Sequence, residues 1–219
     1  MNANGNTQIT IALAKGRLAD QSIGILEKCG MDCSEVKDPK RKLILYDARR
    51  RFRFLLVKPS DVPTYVEHGV ADMGIAGKDT LLEAALPLYE MLDLQLGRCR
   101  LCVCGHSESA QPKQALTVAK KRIASKYPHV TKNYFESKGE AVEIIKLNGS
   151  VEIAPLLGLS DAIVDIVESG RTLHENGLEV LEEICECTAR VVVNRASLKT
   201  KRTAIQEVIT AIRQQIEAS

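Results

Sequence analysis

The sequence predicts an α/β protein with a mostly parallel sheet, and three observations support this fold class. Short apolar runs rich in β-branched residues alternate with segments of helical spacing, a pattern typical of parallel sheets covered by helices. Hydrophobic residues make up 45% of the 219 residues, which is enough for a globular core. No long linker, internal repeat or low-complexity segment interrupts the alternation.

The elements of the first half follow from short apolar runs and from glycine or proline at their ends. Strands are predicted at residues 8–14, 42–46, 52–58, 71–76 and 96–104. Helices are predicted at residues 18–28, 61–68 and 79–85. The strands 42–46 and 52–58 are joined by a basic hairpin.

The second half continues the alternation. Helices are predicted at 127–137 and 150–157, a helical turn at 171–176, and strands at 142–146, 161–167 and 179–194, the last as one strand or two. A final amphipathic helix has its apolar stripe at Ile205, Val208, Ile209, Ile212 and Ile216. Breaks near 92–97 and 177–182 divide the chain into two lobes, 1–96 with 181–219 and 97–180.

Charge and composition exclude several classes of protein. The formal net charge is only +2 and aromatic residues make up 4%, which disfavours a nucleic-acid-binding protein. Basic residues are concentrated between Lys40 and Arg53, and the cluster around Arg41 and Arg49–Arg53 could meet polyphosphate or nucleic acid. For Arg49–Arg53 a solvated surface is the favoured interpretation. The N-terminal segment lacks the pattern of a signal peptide, and no apolar run is long enough to span a membrane. We therefore expect a cytoplasmic protein with no membrane association.

The seven cysteines are expected to be reduced thiols, since their number is odd and no export signal is evident. The spacing Cys99-x-x-Cys102-x-Cys104 leaves a metal site open as an alternative. Strand alternation, however, sends Cys102 and Cys104 to one face and Cys99 to the other. Core packing is therefore favoured over metal binding.

The segment after the strand 161–167 carries the clearest binding pattern. The strand delivers Asp165 near its carboxyl end, where open α/β sheets bind ligands. Backbone N–H groups of Gly170, Arg171 and Thr172, together with the Ser169 hydroxyl, could surround a phosphate. Asp165 could accept hydrogen bonds from ribose hydroxyls, so the pattern suits a sugar phosphate. An ordinary solvated turn remains the alternative.

A second glycine-containing strand end lies at residues 74–79. It is not a Walker A loop, because that pattern needs glycine at Asp72 and Ser or Thr at Asp79. Gly74 and Gly77 would still let a nucleotide approach the backbone closely, although a tight turn is the favoured interpretation of this segment alone. Lys15 and Arg17 are better placed cations, because they follow a buried strand directly.

Four long motifs occur in order and together resemble the ATP phosphoribosyltransferase family. They are AKGRL (14–18), DVPTYVEHGVADMGIAGKD (61–79), IIKLNGSVEIAP (144–155) and DAIVDIVESGRTLHENGL (161–178). The resemblance runs from about Ile9 to Asn194. The chain extends only about 25 residues further, so it is similar to the short form of the family, which has no regulatory domain of its own.

The resemblance implies a fold of two α/β lobes like that of type II periplasmic binding proteins, with the active site in the cleft between them. It also implies a separate regulatory subunit related to histidyl-tRNA synthetase, and a homodimer within a hetero-oligomer. The expected reaction transfers the phosphoribosyl group of phosphoribosyl pyrophosphate (PRPP) to N1 of ATP, at the start of histidine biosynthesis. A two-lobed ligand-binding protein without catalysis is the alternative.

Site residues are carried over from the family by motif. PRPP is assigned to Asp165, Glu168, Ser169, Gly170, Arg171, Thr172 and Leu173. ATP is assigned to Lys15, Arg17, Asp72, Gly74, Ile75 and Gly77. Arg17 and Arg41 are assigned to catalysis, as the cations that meet the pyrophosphate leaving group. Lys58 departs from the arginine that relatives often carry.

The implied mechanism is a direct displacement with inversion at C1 of PRPP. Adenine N1 carries no proton, so neither a strong general base nor a protein nucleophile is required. Mg²⁺ is the expected cofactor and would help Arg17 and Arg41 to neutralise the pyrophosphate. No protein ligand is assigned to the metal.

Overall fold

The computed structural model describes residues 7–106 and 120–218, which fall into two compact units. The first unit takes in the described chain up to Gly97 and again from Thr188 onward, and the second runs from Arg98 to Cys187. The boundary drawn from the sequence at 180/181 therefore differs from the structure. It lies within the strand Glu179–Cys187, which pairs with Cys99–Gly105 and so belongs to the second sheet.

Strands and helices alternate along most of the described chain. The strands are β1 (Ile9–Ala14), β2 (Ile44–Tyr46), β3 (Phe52–Val57), β4 (Met73–Gly77), β5 (Tyr89–Asp93), β6 (Cys99–Gly105), β7 (Lys121–Ser125), β8 (Val142–Lys146), β9 (Ala162–Val167), β10 (Glu179–Cys187) and β11 (Ala189–Val193). The helices are α1 (Arg17–Lys28), α2 (Ser34–Lys37), α3 (Val62–Glu67), α4 (Lys78–Ala84), α5 (Pro128–Ser137), α6 (Ile153–Leu156), α7 (Arg171–Glu175), α8 (Arg195–Thr200) and α9 (Arg202–Glu217). A 3₁₀ turn at Pro59–Asp61 precedes α3.

The sheet of the first unit has the strand order β2-β3-β1-β4-β11-β5. Strands β3, β1 and β4 are parallel, and the remaining neighbours pair antiparallel. Every residue of β1 is buried, as expected for a central strand covered on both faces. Because parallel strands end at the same edge of a sheet, the residues that follow them, Lys15, Lys58 and Lys78, share that carboxyl edge.

The final helix completes the core of this unit. Ile205, Val208, Ile209 and Ile212 of α9 are buried in the main apolar cluster, and Ile216 packs against its margin. The predicted apolar stripe is therefore confirmed. None of the helices in the described ranges has the length and apolar character that a bilayer crossing requires.

The sheet of the second unit has the order β10-β6-β9-β7-β8, with β9, β7 and β8 parallel and the β6 pairs antiparallel. One face carries Cys102, Cys104 and Ile163 in an apolar cluster under α6 and α7. The other face carries Val103, Ile123 and Val164, which form a cluster with Phe135 of α5. The predicted α/β class is confirmed. Each sheet contains both parallel and antiparallel pairs, because a strand that follows its neighbour without a crossover helix pairs with it antiparallel.

A buried carboxylate joins the two chain segments of the first unit. Asp72 is 4% exposed, and its Oδ2 accepts hydrogen bonds from the Thr10 backbone N–H and from Lys201 Nζ, both at 2.8 Å. Its Oδ1 accepts a hydrogen bond from the Ser197 hydroxyl at 2.7 Å. Asp72 thus links β1 and β4 to α8 and the start of α9.

Asp72→Ala is expected to lower the free energy of unfolding by about 3–5 kcal/mol, because it leaves Lys201 without its buried partner. Urea unfolding followed by circular dichroism measures this loss. Glu207→Ala, which removes an exposed carboxylate from α9, is the control and should leave the midpoint nearly unchanged. If Asp72→Ala kept the wild-type midpoint but bound ATP about tenfold more weakly, Asp72 would be a nucleotide contact instead.

Candidate active site

The loop after β9 has the geometry of a phosphate-binding turn. Gly170 adopts φ 74° and ψ 0°, a left-handed conformation that favours glycine, and α7 begins at the next residue. The first N–H groups of a helix have no partner within it, so those of Thr172 and Leu173 are available to an anion, whereas that of Arg171 already donates to the Ser169 hydroxyl. The side chains of Ser169, Arg171 and Thr172 are exposed. The turn therefore presents N–H and hydroxyl donors together.

Packing beneath the turn holds its shape. Leu173 is buried in the apolar cluster that also contains Val167 and Cys102. A Cβ built on Gly170 would lie 3.8 Å from Val167 Cγ1, so the turn rests directly on the end of β9. The Ser169 hydroxyl accepts a hydrogen bond from the Arg171 N–H at 3.4 Å.

Asp165 lies on the same face of the second sheet as the turn. Side chains alternate along a strand, so Asp165 shares a face with Ile163 and Val167, which pack in the cluster under α6 and α7. Its side chain is half-buried, and Oδ1 accepts a hydrogen bond from the Ile166 N–H at 2.8 Å. The second unit thus brings the Asp165 carboxylate and the turn at residues 168–173 together on one face of its sheet.

The first unit contains a basic pocket of about 470 Å³ at the carboxyl edge of its sheet. Apolar side chains of α1, α2 and β3 line part of it, namely Ala19, Ile23, Val36 and Leu56. Its basic lining consists of Lys15, Lys37, Lys40, Arg41 and Lys42. A pocket with apolar walls and several cations suits an anionic ligand that also carries an apolar ring.

The cations of this pocket differ in their pairing. Lys37 pairs with Glu27 at 2.7 Å, and Lys42 pairs with Glu35 at 2.6 Å. Within the described residues, Lys15, Lys40 and Arg41 form no ion pair with a carboxylate. These three cations therefore keep their charge available for a ligand.

Arg17 lies next to the pocket without lining it. It is the first residue of α1 and is exposed. Gly16 before it has φ 105°, a region that side-chain-bearing residues rarely adopt, and this turn sends the chain from β1 into α1. Lys15 and Arg41 are thus brought together by the fold in one pocket lining, and Arg17 follows Lys15 in the chain after Gly16.

The residues at β4 that are predicted to contact ATP have intramolecular partners in the structure, and Asp72 is the first of them. Asp72 precedes the amino end of β4, about 16 Å of strand from the carboxyl edge, and its carboxylate is engaged by Thr10, Ser197 and Lys201. We therefore assign Asp72 to the framework of the first sheet. The ATP contact of Asp72 stays a prediction, because a buried acid at a strand start gives the same local sequence signal as a nucleotide contact.

Gly74 and Ile75 also face the protein interior. A Cβ on Gly74 would lie 2.8 Å from Val62 Cγ1 and 2.8 Å from Val66 Cγ2, so this glycine permits the close packing of α3. The Ile75 side chain is buried in the main core. Gly77 ends β4 at the carboxyl edge, where a Cβ would collide with the Asp79 carboxylate. Its predicted role at the nucleotide site remains a prediction.

The cysteines beneath the turn are packing residues. Cys102 and Cys104 are fully buried, and burial raises the pKa of Cys104 to about 12. A thiol with this pKa stays protonated at neutral pH and is a poor nucleophile and metal ligand. Among residues 7–106 and 120–218, no group of three or more His, Cys, Asp or Glu side chains is arranged to hold a metal ion.

The basic hairpin at Arg49–Arg53 lies at the other edge of the first sheet, before the amino end of β3. Arg50 lies 4.8 Å over the Tyr46 ring, and Arg53 Nε donates to the Thr10 hydroxyl at 3.0 Å. The Asp47 carboxylate accepts a hydrogen bond from the Phe52 N–H at 2.6 Å and closes the turn. The stretch therefore lies away from the basic pocket.

Sequence reasoning missed Lys37 and Lys40 as pocket residues. Lys40 has φ 51°, and its position depends on β2 returning antiparallel to β3, with Ile44 opposite Leu55. The only sequence signal for Lys40 was the local excess of basic residues between positions 40 and 53, and Lys37 lies outside that stretch.

Known proteins resemble this chain over almost its full length. Residues 58–214 match the family model described as HisG: ATP phosphoribosyltransferase. The ATP phosphoribosyltransferase of Lachnospira eligens is 56% identical over 211 residues, covering 95% of this chain and 97% of its own. That of Ruminiclostridium cellulolyticum is 55% identical over 209 residues, with the same coverage of 95% and 97%.

Solved structures of known proteins also resemble this chain over almost its full length. A chain from the ATP phosphoribosyl transferase (HisG:HisZ) complex of Thermotoga maritima aligns with a TM-score of 0.83 at 38% identity, covering 97% of this chain and 100% of that one. The substrate binding protein of an amino acid ABC transporter aligns with a TM-score of 0.57 at 14% identity, covering 96% and 93%. This second likeness shows the fold alone, the type expected from the sequence. By its match to the family model and its identity to full-length relatives, the chain belongs to the ATP phosphoribosyltransferase family.

Proposed function

We propose that this protein transfers the 5-phosphoribosyl group of PRPP to N1 of ATP and releases pyrophosphate, the first step of histidine biosynthesis. Membership of the ATP phosphoribosyltransferase family is the observation that carries this function. The phosphate-binding turn of the second unit and the basic pocket of the first supply the binding chemistry that both substrates need.

PRPP is assigned to the second unit. The N–H groups of Gly170, Arg171, Thr172 and Leu173 and the Ser169 hydroxyl would donate to the 5′-phosphate. Asp165 and Glu168 would accept hydrogen bonds from the ribose hydroxyls. The shared face of Asp165 and the turn supports this assignment, because a sugar phosphate needs acceptors and donors side by side.

The anionic groups of the nucleotide and the leaving pyrophosphate are assigned to the first unit. Lys15 and Arg17 would bind phosphates of ATP, with the backbone at Gly77 beside them. Arg17 and Arg41 would meet the pyrophosphate as its negative charge increases. The support is the pocket in which Lys15 and Arg41 lie without carboxylate partners among the described residues.

Catalysis then depends on position and charge. Adenine N1 has a lone pair and no proton, so the reaction needs no general base. The C1–O bond of PRPP breaks as the N1–C1 bond forms on the opposite face, and both bonding electrons leave with pyrophosphate. Fixed arginine cations stabilise that charge in the transition state more than in the ground state, which accelerates the reaction.

A divalent metal, which we propose to be Mg²⁺, fits the residues present. Mg²⁺ usually keeps several waters and is held by substrate phosphates with one or two carboxylates, so it needs no dedicated protein cage. The diphosphate of PRPP would carry it, and Asp165 and Glu168 are the carboxylates beside the turn. When bound, the metal would supply further positive charge to the leaving pyrophosphate.

We further propose the assembly and the compartment. The Thermotoga maritima relative was solved as a HisG:HisZ complex, which supports a hetero-oligomer with a second, regulatory subunit. We propose that this subunit resembles histidyl-tRNA synthetase and that the present chain forms a homodimer within the complex. A reduced set of cysteines, free of disulfides in the described chain, is consistent with the cytoplasm.

An absorbance assay tests the function. Purified protein is mixed with ATP, PRPP and Mg²⁺, with pyrophosphatase to draw the reaction forward, and N1-phosphoribosyl-ATP is followed in the ultraviolet. Product is expected, with more in the presence of the regulatory subunit. Tight PRPP binding without product in either mixture would contradict catalysis and identify a ligand-binding relative.

A further inference from the structure

Arg100 lies beside the phosphate-binding turn and is not among the residues assigned to either substrate. It is the second residue of β6, directly opposite Val167 at the end of β9. Residues directly opposite each other in an antiparallel pair project to the same face. Alternation along β6 agrees, because it puts Arg100 on the face of Cys102 and Cys104, where α7 packs.

Val167 is also the residue on which the turn rests. Its Cγ1 lies 3.8 Å from the position of a Cβ at Gly170, and Leu173 packs in the same cluster. The Arg100 side chain therefore leaves the sheet next to the base of the turn, on the side where Asp165 also lies.

The guanidinium of Arg100 is held by a carboxylate that a ligand can displace. Arg100 Nη1 lies 3.0 Å from Oε2 of Glu183 on β10, through this one nitrogen–oxygen contact. Both side chains are 41% exposed, and exposed ion pairs contribute little to stability. A phosphate offers arginine a two-pronged, charge-assisted contact, which is stronger.

The negatively charged groups around the turn favour a cation such as Arg100 beside it. Asp165 and Glu168 place two carboxylates at the turn, where PRPP would bring two further anionic groups, the 5′-phosphate and the pyrophosphate. Glu186, opposite Arg100 across the β6–β10 pair, adds a further negative charge near Arg100.

We propose that Arg100 is a further PRPP-binding residue, and that the Glu183 carboxylate occupies the position of the PRPP phosphate on Arg100 in the free protein. On this account, Arg100 exchanges the Glu183 carboxylate for a PRPP phosphate when PRPP occupies the turn. The inference rests on the proposed function and adds a residue to its PRPP site.

Two matched variants test the exchange, because they break the same ion pair from opposite sides. Isothermal titration calorimetry at fixed Mg²⁺ and ionic strength gives the Kd of PRPP, inorganic pyrophosphate and ATP for wild type, Arg100→Gln and Glu183→Gln. Arg100→Gln is expected to weaken PRPP binding about tenfold or more, the loss of one charge-assisted contact. Glu183→Gln is expected to tighten PRPP binding about two- to fivefold, since the competitor of the phosphate is gone. ATP binding should change in neither.

If the ion pair were purely structural, Arg100→Gln and Glu183→Gln would change the Kd of PRPP in the same direction, and that result would overturn the proposal. An unchanged Kd for PRPP in Arg100→Gln would overturn it as well. Circular dichroism and the thermal midpoint establish that each variant is folded. Arg100→Lys, which keeps the charge but loses the two-pronged contact, should fall between wild type and Arg100→Gln, and it replaces Arg100→Gln if that variant does not fold. Absence of PRPP binding by the wild type would instead contradict the proposed function itself.

Discussion

Arg41→Ala is expected to slow the chemical step by about 100-fold or more while leaving ATP binding nearly unchanged. Arg41 lines the basic pocket, and no carboxylate of the described chain pairs with it. Its charge is assigned to the departing pyrophosphate, whose negative charge is greater in the transition state than in bound PRPP. Removing an interaction of this kind lowers the rate and spares ground-state binding.

Rapid-quench single-turnover kinetics, with enzyme in excess over PRPP, measure this step directly. Arg49→Ala is the matched control, because it removes an arginine from the hairpin at the other edge of the first sheet and should keep the wild-type rate. An unchanged chemical step in Arg41→Ala, or an equal loss in Arg49→Ala, would remove Arg41 from catalysis.

Asp165→Asn is expected to raise the Kd of PRPP by about 10- to 100-fold, because an amide replaces the charged acceptor of the ribose hydroxyls. Asparagine has nearly the same size and shape as aspartate, so the backbone of β9 should be preserved. Calorimetric titration with PRPP and with ATP separates the two sites, and ATP affinity should stay at the wild-type value.

Glu175→Gln serves as the control for charge, since Glu175 is an exposed acid at the end of α7 beyond the turn. It should bind PRPP as the wild type does. Equal weakening in Glu175→Gln and Asp165→Asn would indicate a general effect of net charge, and wild-type affinity in Asp165→Asn would contradict the ribose contact.

Local sequence predicted the buried strands well. Strands β1, β8 and β9 lie within one residue of their predicted bounds, because apolar runs with clear ends report burial directly. Strands β5 and β7 were missed. β7 is Lys-Arg-Ile-Ala-Ser, whose two apolar residues are too few for a periodic signal, and it forms because β8 and β9 pair on either side of it. The predicted run 179–194 divides at Thr188 into two strands of different sheets.

In the candidate site too, features that are contiguous in the sequence could be predicted, whereas features that depend on tertiary contacts could not. The turn at Gly170 could be predicted, since its strand, glycine and helix start are contiguous in the sequence. Gly74 could not be interpreted, because a glycine that admits a nucleotide and a glycine that admits a helix look alike locally. The placement of Arg100 beside the turn depends on the register of β6 against β9, which the sequence of either strand alone does not specify.

Hydrogen–deuterium exchange with mass spectrometry tests most directly whether PRPP binds the turn of the second unit. The N–H groups at the start of α7 lack helical partners and should exchange fast in the free protein. Addition of PRPP with Mg²⁺ is predicted to slow exchange in peptides covering Glu168–Leu173, whereas ATP alone should slow exchange around Lys15–Arg17 and leave the turn unaffected. Unchanged exchange at Glu168–Leu173 with saturating PRPP would contradict the account.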